Sequence, residues 1–294
     1  MIKSQAKWLL CSVVKVLFGR RSICVTGEGG LPLHFRPAEY VRLLGGVKRA
    51  CARQRRQWLP LLRPGELILD VGANIGVTVQ LFFSILKGRC RVYAFEPIPR
   101  NFEFLEINSQ PLGPNRVTLV NSAVGNYDGE AVFAENLWHP ALSRLASRVT
   151  KSGRSSLYWQ QHAEIKVKML KLDTFLQDHP DLRPTFVKLD VEGMAVAVLE
   201  GAAHMLQRYK PVITCEFHWP DERAGVTRIL GEAGYQAVVF HDDGRLSLCA
   251  PDQLASRSDG NFVHPSDPRI PDLNLRPPEG ELRDLPVLRT PDAK

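Results

Sequence analysis

The sequence predicts a doubly wound α/β fold, in which a mostly parallel sheet of seven strands carries helices on both faces. Between residues 65 and 265, short apolar runs alternate with segments of helical length, which is the pattern of repeated strand–helix units. The runs are almost continuously apolar, as expected for parallel strands buried on both faces. The first run ends in a glycine-bearing turn that leads directly into a helical segment.

Seven apolar runs are the predicted strands of this sheet. In chain order they are Glu66–Val71, Arg91–Phe95, Arg116–Val120, Phe186–Val191, Val212–Phe217, Tyr235–Phe240 and Gly260–His264. The predicted helices between them are Ile75–Leu86, Pro99–Asn108, Val196–Tyr209 and Asp221–Ala233. Ile165–Leu170 alternates polar and apolar residues, which is typical of a half-exposed antiparallel strand.

Changes in composition divide the chain into three parts. Residues 1–60 are interpreted as a helical lead-in, broken near Gly27–Gly30, and residues 61–265 as the α/β domain. Residues 266–294 are rich in proline and show no apolar periodicity. Such a segment buries too little surface to offset its chain entropy, so a disordered tail is predicted there.

The formal charge of +7 raises the question of a nucleic-acid partner. The basic residues of the segment 42–56 are not interleaved with aromatic residues that could stack on bases, so nucleic acid is not the expected partner. A solvated helix face and a patch for another anionic partner both remain open. The six cysteines lack paired spacing, which disfavours zinc ribbons and disulfide frameworks and indicates a reducing, cytoplasmic location.

The segment Trp8–Phe18 is apolar except for Ser12 and Lys15. Eleven helical residues span about 16 Å, roughly half of a bilayer core, so the segment is too short to cross a membrane. No small-residue cleavage site follows, which disfavours a signal peptide. Two interpretations remain open: the segment is a helix packed on the domain, or residues 3–21 make a peripheral membrane contact.

The turn from Asp70 to Gly76 follows the first predicted strand and precedes a helix, where open parallel sheets bind ligands. A dinucleotide site requires G-x-G-x-x-G, but here Asn74 stands at the position of the second glycine, and no P-loop lysine follows. S-adenosylmethionine (AdoMet) has no phosphate to bind, so this turn favours it over a nicotinamide dinucleotide.

Glu96 follows the strand Arg91–Phe95 directly, where a carboxylate can accept hydrogen bonds from both hydroxyls of a ribose. Pro97 and Pro99 restrict the chain as it leaves that position. The alternative is a solvated acid at the end of a strand.

Three sequence blocks resemble the FkbM family of methyltransferases: Gly65–Gly76, Tyr93–Pro99 and Lys188–Gly193, the last continued by Val198–Ala202. The resemblance covers roughly residues 60–265. It implies the Rossmann-like fold of class I methyltransferases, AdoMet as methyl donor, and an oxygen acceptor on a small molecule or sugar. The cofactor residues that it implies, from the methionine end through the ribose to the adenine, are Asp70, Gly72, Ala73, Asn74, Gly76, Glu96, Pro97, Asn121, Ser122 and Ala123.

One position departs from the family pattern, which commonly has a second glutamate three residues after Glu192. Here that residue is Ala195. This departure leaves two alternatives open. The protein could act on a different acceptor, or it could bind the cofactor without catalysing methyl transfer.

Methyl transfer to oxygen requires an aligned nucleophile and a group that removes its proton. The candidates after two predicted strands are Asp190, Glu192, Glu216 and His218. Each has a structural alternative: Asp190 could anchor the turn, Glu192 could cap a helix, and His218 could be a core histidine. A divalent cation held by this cluster is a further alternative, although no metal is predicted.

The polar interval 125–154, which contains Trp138 and His139, is predicted to contribute to the acceptor pocket. Arg144, Arg148 and Arg154 could bind an anionic group there or face solvent. The predicted function is AdoMet-dependent O-methylation of a small-molecule or carbohydrate hydroxyl. An NAD(P)-dependent oxidoreductase and a non-catalytic binding protein are the alternatives, and the oligomeric state is left undetermined.

Overall fold

The computed structural model describes residues 13–14, 17–19, 21–136, 143–149, 162–241, 243–256 and 258–273. None of the helices in these ranges is long and apolar enough to span a membrane. Most of the proposed membrane-contact segment lies outside the described residues.

An eight-stranded sheet forms the centre of the molecule. In spatial order its strands are β13 (Leu246–Cys249), β12 (Gln236–Phe240), β14 (Asp259–Val263), β11 (Val212–Glu216), β10 (Phe186–Leu189), β3 (Glu66–Val71), β4 (Cys90–Phe95) and β5 (Val117–Val120). The five strands from β11 to β5 are parallel, whereas β14 is antiparallel to both of its neighbours. The predicted class is confirmed, with one edge strand, β13, more than the seven predicted.

Helices cover both faces of this sheet. They are α1 (Val47–Trp58), α2 (Val77–Leu86), α3 (Pro99–Ser109), α5 (Leu172–Asp178), α6 (Ala195–Glu200), α7 (Ala203–Tyr209), α8 (Pro220–Glu232) and α9 (Ile270–Leu273), whereas α4 (Ala146–Val149) contacts strands outside this sheet. Side chains of α1, α2 and α3 form one apolar core, and side chains of α5 to α8 form the other. The predicted helix 196–209 is divided at Gly201, where a Cβ atom would lie 2.0 Å from the backbone oxygen of Gly125.

A second sheet of four strands stands beside the first. Its order is β6 (Ala123–Val124), β9 (His162–Leu170), β7 (Gly129–Asn136) and β8 (Arg144–Leu145). The predicted antiparallel strand is confirmed within β9, which pairs antiparallel with β7. The interval 125–154 is therefore not all loop, because alternation in 129–136 buries Ala131 and Phe133 while Val132 stays exposed. Trp138, His139 and Arg154 lie outside the described residues.

The interpretation of residues 1–60 as a helical lead-in is wrong for residues 23–35. Strands β1 (Ile23–Thr26) and β2 (Pro32–Phe35) form an antiparallel hairpin around the glycines at 27–30. Alternation in β2 explains this outcome, since Leu33 and Phe35 are fully buried while the residues between and before them are less so. Both side chains join the core of the α/β domain, so this hairpin is part of the same packed body.

The prediction of disorder from residue 266 is wrong for the first eight residues. Arg269 is buried, and its guanidinium lies 2.8 Å from both Glu66 and Asp267. It also donates to the backbone oxygens of Leu61 and Thr185. A charge paired in this way tolerates burial, which composition alone does not reveal. The proline-rich remainder, from residue 274, lies outside the described residues.

Candidate functional site

A cavity of about 560 Å³ lies at the carboxyl ends of β3, β4 and β10, where the strand order of the sheet changes direction. The second sheet closes one side of it through Phe133 and Ser143. The predicted site residues that line it are Gly72, Asn74, Glu96, Pro97, Ser122, Ala123, Asp190 and Glu192.

The turn that follows β3 uses left-handed backbone at alternate positions. The φ angles of Gly72, Asn74 and Gly76 are +81°, +54° and +88°. Glycine is required at position 72, because a Cβ atom there would lie 2.0 Å from the backbone oxygen of Asp190. Asparagine tolerates this conformation better than most residues. The turn therefore brings the ends of β3 and β10 into close contact.

Glu96 is 4% exposed, and its carboxylate lies in the wall of the cavity. One oxygen accepts the backbone N–H of Asn74 at 2.9 Å. The other accepts the N–H of Ile98 at 3.0 Å and the side-chain amide of Asn101 at 3.1 Å. Burial raises the pKa of Glu96 to about 7 despite these donors. Asn101 was not identified from the sequence, although its position in the first turn of the helix after Glu96 was a usable signal.

Asp70 does not line the cavity, and its side chain is fully buried beneath the turn. Its carboxylate lies 3.0 Å from Nζ of Lys188 and accepts the Thr78 hydroxyl at 2.5 Å. Lys188 also donates to the backbone oxygen of Gly72 at 2.6 Å. Burial opposes the charge on Lys188, but Asp70 and Asp190 outweigh it and raise the pKa of this lysine.

Three other predicted cofactor residues also lie outside the lining of the cavity. Ala73 and Gly76 support the turn through a hydrogen bond from the Gly76 N–H to the Ala73 oxygen at 2.9 Å. Asn121 donates its amide to the backbone oxygen of Glu96 at 2.8 Å. Their contacts in the structure are with the protein.

Three carboxylates, those of Asp190, Glu192 and Glu222, form an acidic cluster around His218. Nε2 of His218 lies 3.3 Å from Glu192 and 3.6 Å from Asp190. Nδ1 lies 3.7 Å from Glu222, a carboxylate with no exposure. Burial lowers the pKa of His218, but the hydrogen bonds and charges of these carboxylates outweigh it and raise the pKa to about 11. His218 is therefore an imidazolium at neutral pH, rather than a histidine packed in an apolar core.

Glu222 was not identified from the sequence. Its carboxylate accepts the backbone N–H groups of Ala195 at 3.0 Å and His218 at 2.8 Å, so it joins the start of α6 to the segment after β11. Ala195 is fully buried, and the carboxylate nearest to its N–H comes from α8. The four-residue spacing between His218 and Glu222 was the available signal, but Pro220 obscured it by marking a helix start between them.

Glu216 faces a second, smaller cleft of about 350 Å³, and Asp190 lies in the wall of both cavities. Arg53 and Gln57 of α1 form the other side of this cleft. Burial and the charge of Asp190 raise the pKa of Glu216. The two predicted carboxylates Asp190 and Glu192 thus share a cavity, whereas Glu216 belongs to the neighbouring cleft.

Arg144 lies between the second sheet and the acidic cluster. It is 7% exposed, and its guanidinium stacks 5.1 Å from the ring centre of Trp219. Burial lowers the pKa of Arg144, and Glu192 opposes that effect. Trp219 in turn packs on Gly193, where a Cβ atom would collide with the ring. Within the described residues, no group of three or more histidine, cysteine or acidic side chains is arranged to hold a metal ion.

Part of the chain matches known proteins. A family model described as the Methyltransferase FkbM domain matches residues 70–237, more than half of the 294-residue chain. The hexuronic acid methyltransferase AglP of Haloferax volcanii is 28% identical over 168 residues, which are 57% of this chain and 62% of AglP. The chain therefore spans less than two thirds of the length of this relative.

Two solved structures resemble the chain at low identity. The methyltransferase FkbM of Methylobacillus flagellatus is 16% identical with a TM-score of 0.47, covering 80% of this chain and 63% of that one. A SAM-dependent methyltransferase of Aquifex aeolicus is 15% identical with a TM-score of 0.41, covering 78% and 98%.

Proposed function

The chain belongs to the FkbM family of methyltransferases, and from that membership we propose that it transfers a methyl group from AdoMet to a hydroxyl of a carbohydrate acceptor. The observation that carries the proposal is Glu96, a buried carboxylate presented to a cavity at the switch in strand order. The family membership speaks against the NAD(P)-dependent oxidoreductase considered from the sequence.

The lining of the cavity fits this cofactor. Glu96 would accept a hydrogen bond from a ribose hydroxyl, because its Oε2 accepts only the Asn74 N–H in the structure and retains a lone pair. Ser122 and Ala123 would flank the adenine, and Gly72 with Asp190 would face the methionine end. When bound, AdoMet supplies a methyl group on a sulfonium centre, which is already activated for transfer. The protein then has to align the acceptor hydroxyl and remove its proton.

We propose Asp190 as the group that accepts this proton. Its side chain is 36% exposed and reaches both cavities, so an acceptor hydroxyl can approach it. His218 does not fit the role of base, because an imidazolium has no free lone pair. It instead pairs with Asp190 and Glu192, and Glu222 lies on its other side.

The cleft beside Asp190 is the proposed acceptor site. Gln57 and Glu216 supply hydrogen-bonding groups suited to sugar hydroxyls. Arg53 also lines the cleft, with a side chain that is 44% exposed and lies 3.5 Å from Asp259. Since the named substrate of AglP is a hexuronic acid, a sugar carboxylate bound by Arg53 is the first acceptor to test.

The test combines binding with turnover. Calorimetry with AdoMet and with NADH should give binding of AdoMet alone, and the reverse result would contradict the proposal. Methyl transfer from radiolabelled AdoMet is then measured on paired acceptors, methyl glucuronoside and methyl glucoside. We expect transfer to the sugar acid, with the preference for it reduced in Arg53→Ala. A protein that binds AdoMet and methylates neither these nor a wider hydroxyl panel would be a non-catalytic binder.

A further inference from the structure

Tyr40 belongs to the segment after β2, outside the matched residues 70–237. Its hydroxyl nevertheless contacts the turn from Asp70 to Gly76. The Tyr40 oxygen lies 2.5 Å from the side-chain oxygen of Asn74 and 2.9 Å from that of Asn101. A hydroxyl carries one proton, so the two amide oxygens share a single donor. Tyr40 therefore bridges the turn after β3 and the first turn of α3.

These contacts complete a ring of hydrogen bonds around the carboxylate of Glu96. Asn74 donates its backbone N–H to one oxygen of Glu96 at 2.9 Å, and Asn101 donates its amide to the other at 3.1 Å. Tyr40 stands opposite Glu96 and contacts the side chains of both donors. The hydroxyl orients the Asn101 amide so that its NH₂ group faces Glu96, and it restrains Asn74 in its left-handed conformation.

The hairpin holds Tyr40 rigidly in this position. The backbone of His34 exchanges hydrogen bonds with Asn108 on α3, at 2.6 Å to the amide oxygen and 2.9 Å from the amide nitrogen. Phe35 is fully buried and meets the Tyr40 ring edge-to-face, with 6.4 Å between ring centres. Because these contacts hold the chain from His34 to Tyr40 against α3, the position of the Tyr40 hydroxyl is fixed relative to that helix.

We infer that Tyr40 is a positioning residue for cofactor binding, which holds the Asn101 and Asn74 amides so that Glu96 is aligned for the ribose. The inference rests on the proposed AdoMet function. It assigns a role in the site to a part of the chain that the family match does not include. The role is indirect, because Tyr40 does not line the cavity.

The test is Tyr40→Phe in the full chain, which removes the hydroxyl and retains the ring packing. Calorimetry should show AdoMet and S-adenosylhomocysteine binding about three- to tenfold more weakly, the loss of one net hydrogen bond. Tyr127→Phe is the matched control, because that hydroxyl contacts only the backbone of Glu130, at 3.3 Å, among the contacts described for it. The control should bind like the wild type.

A double-mutant cycle separates this role from simple packing. If Tyr40 acts through Asn101 and Asn74, then Tyr40→Phe should weaken binding less than twofold in a background that carries both Asn101→Ala and Asn74→Gly. Equal affinities of the wild type and Tyr40→Phe, or fully additive losses in the cycle, would overturn the inference. A wild type that binds no AdoMet would instead overturn the proposed function, so the two failures are distinguishable. Circular dichroism of each variant verifies that it is folded.

Discussion

Glu96 and Asp190 both follow strands of one parallel sheet and face one cavity, yet the protein surrounds them differently. Glu96 is 4% exposed and receives three hydrogen bonds of 2.9 to 3.1 Å from uncharged donors. Asp190 has a side chain that is 36% exposed, and its charged neighbours Lys188 and His218 lie 3.7 and 3.6 Å away.

The difference suits two separate tasks, which are cofactor binding at Glu96 and proton acceptance at Asp190. Directional donors hold the Glu96 carboxylate in one orientation, which suits a ligand of constant shape. The contacts of Asp190 to cations are longer and leave its oxygens accessible, which suits a group that a substrate hydroxyl has to reach. Accordingly, changes at Glu96 should alter cofactor affinity, and changes at Asp190 should alter turnover.

The largest expected effect is on turnover in Asp190→Asn. An amide of the same shape cannot accept the acceptor proton, so methyl transfer should fall by about 10²- to 10⁴-fold. Cofactor affinity should change less than about threefold, since the Glu96 end is intact. Single-turnover transfer and calorimetry measure the two quantities. The exposed Asp181→Asn is the control, and an equal loss of cofactor affinity in Asp190→Asn would remove the distinction between the two ends.

Lys188 is buried between Asp70 and Asp190, so Lys188→Met should lower the stability of the whole fold. It leaves the fully buried Asp70 without its cation, which costs about 3–5 kcal/mol of unfolding free energy. Urea denaturation measures this loss, and Asp70→Asn combined with Lys188→Met should recover part of it. Lys166→Met, at an exposed position, should change stability by less than about 0.5 kcal/mol. A comparable change in both lysine variants would refute the importance of the buried pair.

Glu96→Gln should weaken AdoMet binding by about 1–3 kcal/mol, because it removes the charge and turns an amide NH₂ toward protein donors. Calorimetry at pH 8 gives the value. Glu130→Gln, on an exposed part of β7, is the matched control. Unchanged affinity in Glu96→Gln would mean that this carboxylate does not hold the ribose.

A smaller effect is expected from pH. The pKa of Glu96 is about 7, so the carboxylate becomes protonated as the pH falls through neutrality. Ribose hydroxyls donate best to the ionised form, and AdoMet affinity should therefore fall by up to about tenfold from pH 8 to pH 6. Calorimetry across this range should show a flat profile for Glu96→Gln. A flat profile in the wild type would contradict the raised pKa or the ribose contact.

The sequence was sufficient for the elements that local pattern controls. Apolar runs located the strands of the central sheet, and glycines at 72 and 76 marked the turn, because backbone conformation and side-chain periodicity are properties of neighbouring residues. It missed β1, β2 and β13, which are four residues long, and β7, which is longer but partly polar. It also missed Arg269, since burial of a charge depends on partners that composition does not reveal.

By itself, then, the sequence determined the fold class, the glycine turn after β3 and the position of the carboxylate that follows β4. Only the tertiary structure decided which groups meet around them. Tyr40 lies 34 residues from Asn74 along the chain, and Lys188 lies 116 residues from Gly72. The pKa of His218 is raised by two carboxylates from the turn after β10 and one from α8. Hydrogen bonds and electrostatic energies depend on distances in space, and those distances exist only once the chain has folded.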